Sequence, residues 1–209
     1  MKRIKDSYQK QIIFFISINV IFFGTISIKG IFNIDLFHLT AKEICNPKSI
    51  FITLSPIIAV VFSGLLSNKI KEILVFWKIK NRLPGCRAFT ILVKEDCRID
   101  IAKLKIKIGR FPKDPAEQNR KWYSLYKSVK GNDIVIGSHK DFLFTRDLCV
   151  ISFLFILFLI PVAYIFWEIL YIKIYYTIFL ILQYTVTAIA AKNYGNRFVC
   201  NVLAIVSQE

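Results

Sequence analysis

Four long apolar stretches set the pattern of this chain. Ile12–Phe32 carries no charge before Lys29, and Ser49–Leu66, Leu148–Trp167 and Ile174–Ala191 follow it; each is 18 to 21 residues long. An α-helix needs about 20 residues to cross a hydrocarbon core of roughly 30 Å. The apolar positions are continuous rather than alternating, so helices, not barrel strands, satisfy the backbone in lipid. Four spans are predicted. The last two are joined only by Glu168–Lys173, a tight helical hairpin with Trp167, Tyr171, Tyr175 and Tyr176 as an interfacial aromatic belt. Basic Met1–Lys10 has the character of a signal-peptide n-region. The apolar run behind it is too long, and no small-x-small cleavage site follows, so an uncleaved first helix is expected.

The stretch from Ser67 to Asp147 reads differently. Ile70, Ile73, Leu74 and Trp77 recur at helical spacing among Lys69, Lys71, Lys78 and Lys80 until Leu83-Pro84-Gly85 breaks the pattern. Those lysines suit either anionic lipid or one wall of a ligand site. Ala88–Val93 is a short apolar run compatible with a strand, and Ile99–Ile108 is compatible with helix or strand. Asp114-Pro115-Ala116-Glu117 supplies an N-cap, a proline at the first helical position and a glutamate at the third. That helix has Trp122, Leu125, Tyr126 and Val129 on one face and Gly131 as its stop. Ser138-His139-Lys140-Asp141 is a second capping box, predicted to launch a helix that runs into the third span.

Charge orients this arrangement. Met1–Gln11 holds four Lys/Arg, Ser67–Asp147 nineteen and the stretch after Ala191 two, whereas the opposite side has Lys29, Lys42, Lys48 and Lys173. By the positive-inside rule both termini and the central block face the cytoplasm. The block has nine acids, so it carries +10 of the chain's net +15. At 55% hydrophobic and 15% aromatic residues, the chain is neither a soluble enzyme nor disordered. The expected fold is an all-α membrane protein of four transmembrane helices, with a small cytoplasmic α or α+β domain inserted between helices 2 and 3. Its parts are an N-terminal tail and first hairpin (1–66), the basic domain (67–147), a second hairpin (148–191) and a cytoplasmic tail (192–209).

The sequence contains no phosphate-binding glycine loop, no G-x-S-x-G and no H-E-x-x-H, so no enzyme, cofactor or metal is expected. Cys86 and Cys97 are eleven residues apart, Cys45 stands alone on the outer side, and His38 and His139 fall on opposite faces; none has metal-site spacing. Arg120-Lys121-Trp122-Tyr123 with Tyr126-Lys127 is more informative, because cations neutralise phosphates while aromatic rings stack on bases. Helical spacing puts Arg120, Tyr123 and Lys127 on one side and Trp122, Leu125 and Val129 on another, a ligand face and a core face. The competing reading puts every aromatic in the core and every cation in solvent. Arg82, Arg87, Arg98 and Arg110 are supporting candidates, Arg87 and Arg98 because they are expected just outside regular elements.

Within the spans, Ser55, Ala59, Ser63 and Ser67 form a small-residue ridge for close helix packing. Asn19 and Gln183 are polar at span depth and either cross-bond helices or line a wet path. No Asp, Glu, Arg, Lys or His sits near a span centre, which argues against a proton pump or voltage sensor. Pro161 is either a hinge or a tolerated bend.

At Leu83-Pro84-Gly85-Cys86-Arg87-Ala88-Phe89, and at Asp114-Pro115-Ala116-Glu117-Gln118-Asn119 followed by Trp122-Tyr123, the chain resembles small membrane subunits of bacterial anti-phage operons. Over about Ser67–Arg146 and in its span layout it is similar to the membrane effectors of the Hailong system; the four-span membrane sensor of the Kiwa system is a similar-looking alternative. The Hailong resemblance implies a homo-oligomeric, tetrameric channel. In that family a single-stranded DNA made by a partner nucleotidyltransferase keeps the channel closed, and its removal during infection opens it. The function expected is therefore an ion-conducting or membrane-permeabilising effector, gated by a single-stranded nucleic acid or nucleotide on the basic domain. The alternative is a non-conducting sensor or anchor that recruits a cytosolic protein.

Overall fold

The computed structural model describes residues 4–32, 54, 58 and 61–208. Every regular element among them is helical: α1 (Gln9–Phe32), α2 (Asn68–Phe76), α3 (Ile101–Ile108), α4 (Pro115–Val129), α5 (Asp133–Phe166) and α6 (Leu170–Gln208). Between α2 and α3 the chain makes a 3₁₀ turn at Pro84–Arg87, a π-helical turn at Ala88–Leu92 and a last α turn at Val93–Glu95. Helices α1, α5 and α6 are each long and apolar enough to cross a membrane. The expected span Ser49–Leu66 lies largely outside the described residues, and Ser55 and Ala59 with it.

The chain forms two compact units, Met1–Asn68 with Asp147–Thr187 and Lys69–Arg146 with Ala188–Glu209. Residues from α5 and α6 belong to both.

The apolar unit is centred on aromatic rings. Phe23 of α1, Trp167 and Tyr176 are buried with ring centroids 5.2 to 5.6 Å apart. The Trp167 indole donates to Ser27 Oγ at 3.0 Å, and that hydroxyl donates to the Phe23 carbonyl at 2.7 Å, so a polar edge inside an apolar core is satisfied locally. Tyr8 donates to Asp147 Oδ2 at 3.2 Å, which joins the start of α1 to α5. Gln183 of α6 donates to Ser152 Oγ of α5 at 3.3 Å, an interhelical bond. Asn19 instead donates to Phe15 of its own helix at 2.9 Å. Ile13, Phe14 and Ile21 of α1 point outward, as apolar residues do when the surroundings are lipid.

The basic unit is built on the C-terminal part of α6. Residues 192–209, expected only as a tail, are helical through Gln208, and Phe198, Val199, Val202, Leu203 and Val206 are buried. Phe198 lies edge-on to Trp122 of α4 at 5.3 Å and stacks on His139 of α5 at 4.7 Å. The end of the helix is tied in by polar bonds: Arg87 to Asn196 Oδ1, Asp100 N to Ser207 Oγ and Lys107 Nζ to the Val206 carbonyl, at 2.9 to 3.2 Å. Gly195 is tightly placed, because a Cβ there would lie 3.1 Å from both Phe76 and Phe142.

Local elements depart from expectation in three places, and one open alternative is settled. Helix α2 ends at Phe76 rather than near Leu83, because Trp77 takes a left-handed backbone (φ 52°) while its amide still bonds the Ile73 carbonyl at 2.8 Å. Ala88–Val93 is helical, not a strand, because Gln118 stands in for strand partners. Its Oε1 accepts from Phe89 N at 3.0 Å and Thr90 N at 3.2 Å, the orphan donors of that turn, while its Nε2 donates to the Lys113 carbonyl at 3.1 Å. Ile101–Ile108 resolves as helix, capped by Asp100 accepting from Lys103 N. Finally, α5 starts at Asp133, not at Ser138; Ser138 is buried and bonds back to the Val135 carbonyl. Helix α4 begins as predicted, with Asp114 accepting from Glu117 N and Pro115 as its first residue.

Gln118 is 1% exposed and connects three backbone groups, so Gln118→Leu leaves the buried Phe89 amide and the part-buried Thr90 amide without their acceptor. The expected cost is about 1–3 kcal/mol for each group stranded, read as a lower thermal unfolding midpoint in detergent. Gln118→Glu keeps the acceptor and should fall between. Equal midpoints for all three proteins would show that these bonds contribute nothing.

Candidate anion-binding interface

Two clefts flank the first half of α4 in the basic unit. One, of about 470 Å³, is lined by Arg110, Phe111, Lys113, Glu117 and Lys121 among others. The other, of about 490 Å³, is lined by Asn81, Arg82, Cys86, Asn119 and Arg120 among others. Helix geometry explains the division. Gln118 and Trp122 face the core, so Glu117 and Lys121, four residues apart, fall on one flank and Ala116 and Arg120 on the other. Gly85 lets the Pro84–Arg87 turn close against α4; a Cβ there would sit within 3.1 Å of Trp122 and closer still to Asn119.

Arg120, Tyr123 and Lys127 share the face of α4 that points away from the core, and all three are exposed. Tyr123 is 50% exposed, whereas Trp122 is buried and Tyr126 half-buried with its hydroxyl 3.2 Å from His139 Nδ1. The aromatics therefore divide between the two readings: Trp122 and Tyr126 are core, Tyr123 is surface. One face of Tyr123 is occupied, with Lys127 Nζ 4.9 Å from the ring centroid in a cation–π contact.

The eight cationic and aromatic candidates do not converge on one point. Arg110 and Lys121 meet in the first cleft, Arg82 and Arg120 in the second, and Tyr123 and Lys127 continue the outer stripe. Arg82 reaches its cleft already paired with Glu72, at 2.5 Å. Arg87 lies inside the 3₁₀ turn, not outside regular structure, and donates to Asn196. Arg98 is clamped two-pronged on Asp96 at 3.0 and 2.6 Å and lines neither cleft. Its guanidinium hydrogen bonds hold the Asp96 carboxyl below the usual range. Lys113, Asn81 and Asn119 line the clefts without having been singled out by sequence. Lys113 sits just before a helix cap, where a lone lysine carries no pattern of its own.

No carboxylate pairs with Arg110, Lys113, Arg120, Lys121 or Lys127 among the described residues, unlike Arg82 on Glu72 and Arg98 on Asp96. Yet the unit has 21 Lys/Arg against nine acids. Unpaired guanidinium and ammonium groups around open clefts of several hundred cubic ångströms favour phosphate-bearing ligands. Burial pushes the Cys86 thiol upward, so it is not poised as a thiolate. Among the described residues no three His, Cys, Asp or Glu side chains group as a metal site. No known protein family, curated protein or solved structure matches this chain.

Because these cations support no ion pair, Arg110→Gln and Lys121→Gln should leave the unfolding midpoint unchanged, within the roughly 0.5 kcal/mol typical of surface changes. Asp96 behaves differently. Its depressed pKa stabilises the fold above the ordinary carboxylate range, and this is lost as pH falls through the depressed value. Asp96→Asn should therefore be less stable than the parent at neutral pH, with the difference shrinking below about pH 4; a constant difference across pH would exclude the pairing as its source.

Proposed function

We propose that this chain is the membrane effector of a bacterial anti-phage defence system, an oligomeric channel or permeabilising protein gated by a single-stranded nucleic acid or nucleotide on its basic unit. In this reading the chain crosses the inner membrane four times, keeps both termini in the cytoplasm and assembles as a homotetramer. A nucleotidyltransferase encoded nearby supplies the ligand. The observation that carries the proposal is the exposed stripe Arg120–Tyr123–Lys127 flanked by Arg110, Lys113 and Lys121, cations without carboxylate partners beside an accessible ring. Phosphates are assigned to the cations and a base to the free face of Tyr123.

Neutralising five phosphates of a single strand predicts a salt slope near −0.7 per phosphate, hence about 100-fold weaker binding between 50 and 200 mM salt. Binding of a labelled oligonucleotide to the purified full chain measures this. Arg120→Glu with Lys121→Glu should weaken affinity and flatten the slope, and Tyr123→Ala should cost roughly 5- to 150-fold, the range for one stacked base. Unaltered affinity in both variants would remove the interface. Liposome conductance with and without oligonucleotide tests gating: a ligand-dependent change is expected, and its absence alongside intact binding would favour the recruiting sensor.

A further inference from the structure

The segment that follows α2, Trp77-Lys78-Ile79-Lys80, is built unlike the rest of the basic unit. It carries the unit's exposed tryptophan, 55% accessible, and an isoleucine 75% accessible, with exposed lysines at the alternate positions. Trp77 and Asn81 bracket it in left-handed backbone, at φ 52° and 49°. That conformation is unfavourable for a bulky L-residue and is kept where it serves a purpose. Here it ends α2 at Phe76, and the chain runs on through Lys78, Ile79 and Lys80 without regular structure. Lys78 and Lys80 form no ion pair among the described residues, and the nearby acid Glu72 is occupied by Arg82. Ile70 of α2 is exposed too, which extends the apolar surface.

We propose that this segment is a membrane-interface anchor: Trp77 and Ile79 enter the headgroup region of the bilayer while Lys78 and Lys80 contact anionic lipid phosphates. Tryptophan prefers that zone because its ring is apolar and its indole N–H polar, and lysine stems let the ammonium groups reach headgroups from beside buried apolar atoms. Anionic headgroups complement the lysines, with an attraction of order 1 kcal/mol for each basic residue near the surface. Position in the chain supports this partner. Trp77 follows Leu66, the end of an apolar run of span length, by eleven residues, nine of them in α2 with a helical rise of about 14 Å, so the tether to that run is short. The proposal is independent of the nucleic-acid reading, since it uses none of the cleft cations.

The other two tryptophans, Trp122 and Trp167, are buried, which makes the test direct. The full chain is placed in nanodiscs of phosphatidylcholine alone or mixed with phosphatidylglycerol, and Trp77 emission is taken as the difference between the parent and Trp77→Phe. In anionic discs, Trp77 should be quenched by lipid brominated near the headgroup end of its chains and shielded from acrylamide. Lys78→Glu with Lys80→Glu should restore acrylamide access without moving the unfolding midpoint. Trp77 that stays acrylamide-accessible and unquenched in both discs would overturn the proposal. So would bromine quenching that neither phosphatidylglycerol nor the lysine reversal changes, or shielding already complete in lipid-free detergent, which would assign the patch to another copy of the chain.

Discussion

One rod, α6, has to satisfy two incompatible surroundings, and much of the structure follows from how it does so. Over Leu170–Thr187 the helix turns Ile174, Tyr175, Ile178, Phe179, Ile181 and Leu182 outward, which is tolerable only in an apolar medium. Past Ala188 the same helix, unbroken to Gln208, buries Phe198, Val199, Val202, Leu203 and Val206 against protein. Helices in proteins draw most of their stability from packing rather than from intrinsic propensity. The stability of this final length comes from the side chains that cover it and from the polar ties of Asn196, Val206 and Ser207. The basic unit is thus assembled around a core strut from the far end of the sequence.

That strut has consequences for charge. A unit with 21 cations and nine acids repels itself. The buried bonds around α4 do not call on those cations: Gln118 serves backbone groups, Trp122 packs on Phe198, and Asp114 caps the helix. Arg110, Lys113, Arg120 and Lys121 remain available because folding leaves them out. Where a cation is recruited for structure, as at Arg98 on Asp96, it has also been removed from the candidate surface. The sorting is chemical. Arg98, two residues from Asp96 on a turn, becomes structural; Arg120, on the outward side of a capped helix, does not.

What could be read from the chain follows the range of the interactions involved. The apolar runs of α1, α5 and α6, the start of α4 and its two-faced character rest on periodicity and on contacts within one turn, so they are visible in the sequence. Three features were hidden because no periodicity or local signal reports them. Ala88–Leu92 looks like a strand until Gln118, 29 residues beyond Phe89, supplies acceptors for its amides. The end of α2 at Phe76 depends on a backbone angle at Trp77 that its residue type disfavours. The stretch after Ala191 lacks a strong pattern because almost every side of it is covered, so amphipathicity, the usual sign of a packed helix, is weak there. Of the interface, the outer stripe was legible and the two clefts were not, since each needs a second segment closing on α4: Arg110–Lys113 in one and Asn81–Cys86 in the other.

The two clefts also bear on what kind of ligand the proposed function requires. They lie on opposite flanks of one helix, and the stripe between them runs from Arg120 to Lys127, seven residues or about 10 Å along the axis. A mononucleotide can fill one cleft but then leaves Tyr123 and Lys127 paired with each other, as they are now. A strand of several nucleotides can reach a cleft and the stripe together and use the open face of the Tyr123 ring. On the proposed reading, then, ligand length rather than base identity is the property this surface is shaped to discriminate. The reason is geometric: the cations are spread along and around a helix instead of being focused on one phosphate.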